Sequence, residues 1–274
     1  MTSPAPIPAF LYGTAWKEER TEALVGQALA AGFRGIDTAN QRKHYFEAAV
    51  GQAIAGAGVA RSKLFLQTKF TFQAGQDQRL PYDPKADIAT QVSQSFASSL
   101  THLGTDYLDS YLLHGPSTRG SLQAADVAAW RALEALAAAG RTRFIGVSNV
   151  SLAQLRELLG QCLVRPRFVQ NRCYAKTGWD HDLRAFCSEH AITYQGFSLL
   201  TANRSELAGK AMQQLVARTG RVAAELVFRF AIQAGTLPLT GSSSATHLRL
   251  DLNALDFALS PEDFATIERL SRLG

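Results

Sequence analysis

Apolar and polar positions along this chain alternate between two rhythms. Short runs rich in β-branched and aromatic residues are followed by longer stretches in which apolar side chains return every three or four positions. The short runs are AFLYGT (9–14), FRGIDT (33–38), KLFLQT (63–68), YLDSYLLH (107–114), RFIGVS (143–148), RFVQN (167–171), ITYQGF (192–197) and LPLTG (237–241). The clearest helical stretches cover 18–31, 87–103, 124–139, 152–159, 180–190 and 222–233, several entered from Ser, Thr or Asp and left through Gly. Strand followed by helix, eight times over, predicts an α/β fold, a (β/α)8 TIM barrel forming a single domain over 1–274. A doubly wound sheet shares this alternation and is the structural alternative. GAGVAR (56–61) has two glycines of a dinucleotide-binding fingerprint but lacks the third glycine and the preceding strand. No Walker A loop, H-E-x-x-H or other metal-spaced cluster occurs, so no metal is expected.

Composition narrows the class. The 274 residues are 46% hydrophobic and 19% charged, enough for one large core. The net charge of +5 is spread over separated residues such as Lys17, Arg34, Lys63, Arg131, Arg218 and Arg249, which argues against a nucleic-acid partner. It suits a phosphorylated small molecule or a plain basic surface equally well. Cys162, Cys173 and Cys187 form no C-x-x-C pair and are odd in number, as expected of core thiols in a reducing compartment. MTSPAPIPAF lacks the basic start and apolar run of a secretory leader, and no run of about 18 apolar residues follows. A cytoplasmic protein with no membrane partner, a monomer or weak homo-oligomer, is expected.

The chemistry gathers at predicted strand ends, where a barrel of this kind carries its site. Asp37 ends the second strand, Lys69 follows the third, His114 ends the fourth, and Tyr45 lies in the loop after the second. A phenol alone is a poor acid, with a pKa of about 10. Lys69 could stabilise the phenolate, Asp37 hold the ammonium, and His114 orient a carbonyl oxygen, which together suggest carbonyl reduction. Ser148 and Asn149 follow the fifth strand, Gln170 sits near the end of the sixth, and Phe197 ends the seventh.

GFRGIDTA, LFLQTK, LDSYLLH, FIGVSN, FVQN and LSPED occur in order, and through them the chain resembles the aldo-keto reductase superfamily over essentially its whole length. The resemblance implies reduction of aldehydes or ketones by a nicotinamide dinucleotide, NADPH favoured and NADH possible, bound without a Rossmann fold. It implies Tyr45 as the acid, tuned by Lys69 and Asp37, with His114 orienting the substrate. Ser148, Asn149 and Gln170 would bind the carboxamide of the nicotinamide, and Phe197 would stack on its ring. Gly13, Thr14, Asp37, Ser198, Leu200, Thr240, Gly241, Ser242, Ser243, His247 and Asp251 complete the implied cofactor set. A cofactor-binding regulatory or redox-sensing barrel with little turnover is the alternative. A hydrolase or isomerase would need paired carboxylates or a glycine-rich phosphate loop, and neither is found.

Three departures from the family pattern bear on function. The usual spacing, five residues past the aspartate, falls on Arg42, and Tyr45 comes three positions later, before the helix start EAAVG. A small loop insertion would restore the register; otherwise His44 or Lys43 serves. Second, LPLTGSSSATHLRLDL lacks the usual lysine and arginine for a 2'-phosphate. Thr240, Ser242, Ser243 and Ser244, a helix beginning near Thr246, His247 and Arg249 remain as donors. Third, the chain ends soon after LSPED, so an open pocket is expected, with Trp16 and Phe70 or Phe72 as wall candidates beside Tyr45 and His114. Trp130 is expected to pack a helix on the barrel, Trp179 and His181 to form a loop and helix start, and His102 and His190 to favour helix C-termini.

Overall fold

Each of the eight apolar runs becomes a strand. The computed structural model describes residues 5–270. The strands are β1 (Leu11–Gly13), β2 (Gly35–Asp37), β3 (Phe65–Phe70), β4 (Leu108–Leu113), β5 (Thr142–Ser148), β6 (Phe168–Arg172), β7 (Thr193–Phe197) and β8 (Leu237–Thr240), hydrogen-bonded in that order as a closed parallel barrel. Between and after them come α1 (Thr21–Ala31), α2 (Glu47–Gly56), α3 (Ile88–Leu103), α4 (Ala124–Ala138), α5 (Leu152–Gln161), α6 (His181–Glu189), α7 (Arg204–Leu207), α8 (Lys210–Thr219), α9 (Ala223–Gln233), α10 (Ala245–Asn253) and α11 (Pro261–Glu268). The chain groups into two compact units, Met1–Val169 and Gln170–Gly274.

In the first unit every residue of β3 and β4 is buried, as parallel strands covered on both faces require. β3 runs two residues past its expected end, so Lys69 and Phe70 belong to the strand and not to the loop after it. The reason is that the three polar residues Gln67, Thr68 and Lys69 keep strand pairing, with Gln67 opposite Ser110 and Lys69 opposite Leu112. Alternation along the strand then sorts them by face. Gln67 and Lys69 both bond Asp37 of β2, while Thr68 bonds Glu47 of α2. The helices of this unit are fixed by their ends. Asp87 caps α3 by accepting from Thr90 N–H, the left-handed Gly104 (φ 63°) closes it, and Ser151 with Gln154 forms a capping box on α5. Trp130 is buried on α4 and donates its indole N–H to Glu134 at 3.0 Å, a packing role.

In the second unit β7 pairs with β8 through Gln195 opposite Leu237. Trp179 is buried against Phe230, 5.2 Å between ring centroids, and donates to the Ile267 carbonyl at 3.0 Å, tying α9 and α11 to the segment before α6. His181 is exposed beside Asp182. Helix α8 lies outside the clearest predicted stretches because its buried stripe is thin, Met212 and Leu215 alone. Burial pushes the thiols of Cys173 and Cys187 up to about 12. Among the described residues no helix is long and apolar enough to cross a membrane.

Candidate active site

Lys69 has no exposed surface, and its ammonium donates three hydrogen bonds of 2.8 Å, to Asp37 Oδ1, Asp37 Oδ2 and the Thr38 carbonyl. Gln67 Nε2 donates to Asp37 Oδ1 at 2.7 Å, so the carboxylate is held from two successive same-face positions of β3. Thr14 secures the strand end from behind, its N–H and hydroxyl both donating to the Asp37 carbonyl at 3.0 and 3.1 Å. That use commits the Thr14 hydroxyl proton to the backbone rather than to a ligand. Burial lowers the Lys69 pKa, and Asp37 works against that shift.

Tyr45 reaches this pair by way of a coil. His44 N–H and Tyr45 N–H both donate to the Gln41 carbonyl, at 3.2 and 3.0 Å, so residues 41–45 wind through one turn that takes up the extra length. The Tyr45 ring centroid lies 5.4 Å from Lys69 Nζ and 5.8 Å from the His114 ring centroid. Arg42, at the usual family spacing, turns away: its guanidinium covers the Phe46 ring at 3.9 Å and meets Glu19 at 3.2 Å. Lys43 is exposed, and His44 stacks on Trp16 with centroids 3.8 Å apart.

His114 follows β4, its N–H donating to the Phe70 carbonyl at 2.8 Å. Burial first, then the Lys69 ammonium and His44, push its imidazole down to about 3, so the ring is neutral at ordinary pH. Its Nδ1 lies 2.6 Å from the Thr71 hydroxyl. Thr71 was not singled out from the sequence, where a threonine after a strand carries no signal. Trp16 stands 68% exposed on a left-handed backbone (φ 62°), its N–H donating to the His44 carbonyl. Phe70 offers no surface to a substrate: it faces away from Lys69 and packs on Phe72 and Tyr82. Phe72 is the half-buried ring of that group.

The positions implied for a nicotinamide dinucleotide lie at strand ends in both units. In the first, Gly13 is half-buried at the end of β1, and Asn149 follows the buried Ser148 in the left-handed region (φ 51°). Asn149 Nδ2 donates to the His114 carbonyl at 2.8 Å and to Ser148 Oγ at 3.1 Å, which turns its carbonyl oxygen outward as an acceptor. In the second, Gln170 Nε2 donates to Gln195 Oε1 at 2.9 Å. Phe197 is half-buried, with the Arg172 guanidinium 5.5 Å from its ring, and Ser198 adopts φ 57°. Leu200 is half-buried in the turn that follows. Non-glycine residues held at positive φ after β5 and after β7 are strained, the kind of backbone found where a ligand is gripped.

The segment after β8 is arranged differently from the sequence expectation in one respect. Thr240 donates its hydroxyl to Asp251 at 2.7 Å and accepts from Ser242 N–H, so it has no proton left for a phosphate. Asp251 is correspondingly buried, and burial raises its carboxyl to about 6. Ser244 caps α10 by accepting from His247 N–H. Gly241, Ser243 and His247 are exposed and Ser242 is half-buried around this helix start. Arg249 lies two residues beyond His247, about 200° round the helix, so the two side chains cannot face one ligand.

One cluster escaped the sequence reading. Glu47, at the start of α2, is buried and bonded to Thr68, Ser99 and His102, residues 21, 52 and 55 positions away. His102, expected only to favour a helix end, is thereby the partner of a buried acid.

The parallel barrel thus gathers a phenol, an ammonium and a neutral imidazole beyond its strand ends, a set chemically able to hand a proton to an oxygen. Residues 11–272 match the family model described as aldo/keto reductase family. The chain is 34% identical to an aldo-keto reductase of Mycolicibacterium vanbaalenii, over 92% of this chain and 84% of that one. It is 32% identical to a glyoxal reductase of Bacillus subtilis, over 93% and 84%. The crystal structure of an aldo/keto reductase from Brucella melitensis superposes with a TM-score of 0.83 at 29% identity, covering 96% of this chain and 94% of that one. The chain belongs to the aldo/keto reductase family, enzymes that reduce carbonyl compounds with NAD(P)H.

Proposed function

We propose that this enzyme reduces aldehydes or ketones with a preference for NADPH, and that Tyr45 is its general acid. The observation that carries the reading is the fully buried Lys69 ammonium, 5.4 Å from the Tyr45 ring and held by Asp37. Thr71 Oγ1 and His114 Nδ1 share a hydrogen bond, and we assign its donor as the hydroxyl, which puts the proton of the neutral ring on Nε2, where it can donate to a carbonyl oxygen. Tyr45 then gives that oxygen its proton, and Lys69 stabilises the phenolate left behind. Ser148, Asn149 and Gln170 would hold the carboxamide of the cofactor and Phe197 would cover its ring; bound there, the reduced nicotinamide supplies the hydride. Ser198, Leu200 and Gly241 would line its path. Ser242, Ser243, His247 and the amino end of α10 would receive the 2'-phosphate, which favours NADPH. Similarity to a glyoxal reductase makes small α-oxo aldehydes the first substrates to assay. Three cysteines outside any disulfide support a cytoplasmic location.

The test is a parallel fluorescence titration with NADPH and NADH, followed by loss of reduced-nicotinamide absorbance on adding 4-nitrobenzaldehyde, for wild type and Tyr45→Phe. Tyr45→Phe should lose about 10²- to 10⁴-fold in turnover and bind cofactor within about threefold of wild type. Undiminished turnover would refute the acid assignment, and equal affinity for the two cofactors would refute the NADPH preference.

A further inference from the structure

Glu47 opens α2 two residues after Tyr45, and only 4% of it is exposed. Its carboxylate accepts from the Thr68 hydroxyl, accepts from Ser99 Oγ at 3.1 Å on each oxygen, and lies 3.1 Å from His102 Nδ1. Thr68 is the residue before Lys69 and faces the opposite side of β3. A single side chain therefore joins the strand that carries Lys69 to the helix that continues from Tyr45. Gly51, one turn further along α2, reinforces the join: a Cβ there would collide with the His102 carbonyl oxygen, so α2 and α3 meet backbone to backbone at this point.

We propose that Glu47 is a positioning residue of the acid site, fixing Tyr45 against Lys69 and setting, through its buried negative charge, how readily that pair releases a proton. The proposal rests on Tyr45 being the acid. The titratable groups that feel Glu47 are Lys69, whose charge acts through β3 from its opposite face, Tyr111 of β4 and His102 of α3. Tyr111 is kept neutral by burial, and the bond to Glu47 raises the His102 pKa, so that imidazole is the group whose protonation offsets the Glu47 charge. Tyr45, Glu47 and His102 line one cavity of about 360 Å³, together with Arg42 and Arg79. The two guanidinium groups are turned to Glu19 and Asp77. Once His102 is neutral, Glu47 is a negative charge that makes Lys69 harder to deprotonate, and on Tyr45, two residues before it, a charge of that sign acts in the same sense.

The experiment is the pH profile of kcat from pH 6 to 10.5, with NADPH and 4-nitrobenzaldehyde, for wild type, Glu47→Gln, Glu47→Asp, His102→Lys and Tyr45→Phe. Melting temperature and cofactor affinity are recorded for each. Glu47→Gln should move the basic limb to lower pH by about half to one unit, a three- to tenfold loss above the limb. Glu47→Asp keeps the charge and should leave the limb in place while lowering kcat. His102→Lys, at a half-exposed helix position, sets a lasting cation beside Glu47 and should move the limb the same way as Glu47→Gln; it decides the question if Glu47→Gln does not fold. Unmoved limbs in Glu47→Gln and His102→Lys, with activity following melting temperature, would reduce Glu47 to a structural acid and overturn the proposal. Turnover retained in Tyr45→Phe would instead remove its premise, an outcome separate from an inactive Tyr45→Phe with unmoved limbs.

Discussion

Replacing Lys69 by Met keeps the length and bulk of the buried chain and removes its charge. With the ammonium 5.4 Å from the Tyr45 ring, Coulomb's law at an effective dielectric of about 20 gives roughly 3 kcal/mol of phenolate stabilisation. That corresponds to about two pKa units. Turnover at pH 7 should therefore fall by about 10²-fold, and any remaining basic limb should move up by about two units. A second effect must be separated from the first. Asp37 would lose both bonds from the ammonium while keeping the 2.7 Å bond from Gln67, and stranding one member of a buried pair costs about 3–5 kcal/mol. The double variant Lys69→Met/Asp37→Asn removes the stranded charge, so it should regain much of the stability and none of the rate. The assay is single-turnover loss of reduced-nicotinamide absorbance on enzyme preloaded with cofactor, with thermal melts of the same samples. A Lys69→Met enzyme within threefold of wild type, or a double variant that regains turnover together with stability, would refute the electrostatic account.

Two further outcomes follow from single contacts. Thr71→Val removes the hydroxyl 2.6 Å from His114 Nδ1 and should lower kcat/KM for 4-nitrobenzaldehyde by about 5- to 10-fold, the worth of about one hydrogen bond; an unchanged kcat/KM would mean the tautomer is set elsewhere. Asp251 has its carboxyl raised by burial to about 6 from an ordinary value near 4, so its contribution to stability is lost as pH rises from about 4 through 6. Asp251→Asn should therefore stabilise the protein by about 2–3 kcal/mol at pH 7.5 and hardly at all at pH 4, as read by urea unfolding; equal effects at both would show that the carboxyl is not the source.

The barrel was legible because its rule is local. A buried parallel strand reads as a short apolar run, and the polar residues that interrupt or end those runs, Asp37, Lys69 and His114, stand out for that reason. The two-residue error at the end of β3 had a cost, since it placed Phe70 in a loop where the pleat in fact turns it away from Lys69. Tyr45 was harder to place, because spacing pointed to Arg42 and only the turn closed on the Gln41 carbonyl brings the later residue into reach. Thr240 resembled a phosphate donor until its bond to Asp251, eleven residues on, was seen. Glu47 and Thr71 were not legible at all. Their partners lie from 21 to 55 residues away, and a glutamate in a first helical turn or a threonine after a strand is ordinary in sequence.

The three tryptophans divide unevenly, and the division has a practical use. Trp130 and Trp179 are 1% exposed, while Trp16 is 68% exposed and packs on His44 at an interplanar angle of 36°, one residue from Tyr45. An aqueous quencher such as iodide can reach only Trp16, so the quenchable part of the emission comes from the Tyr45 loop and the protected part from the interior. His44 adds a proton-dependent neighbour to the same fluorophore, its pKa lowered by burial and by Lys43. The molecule therefore carries its own optical reporter beside Tyr45, and a ligand arriving there can be followed without a label.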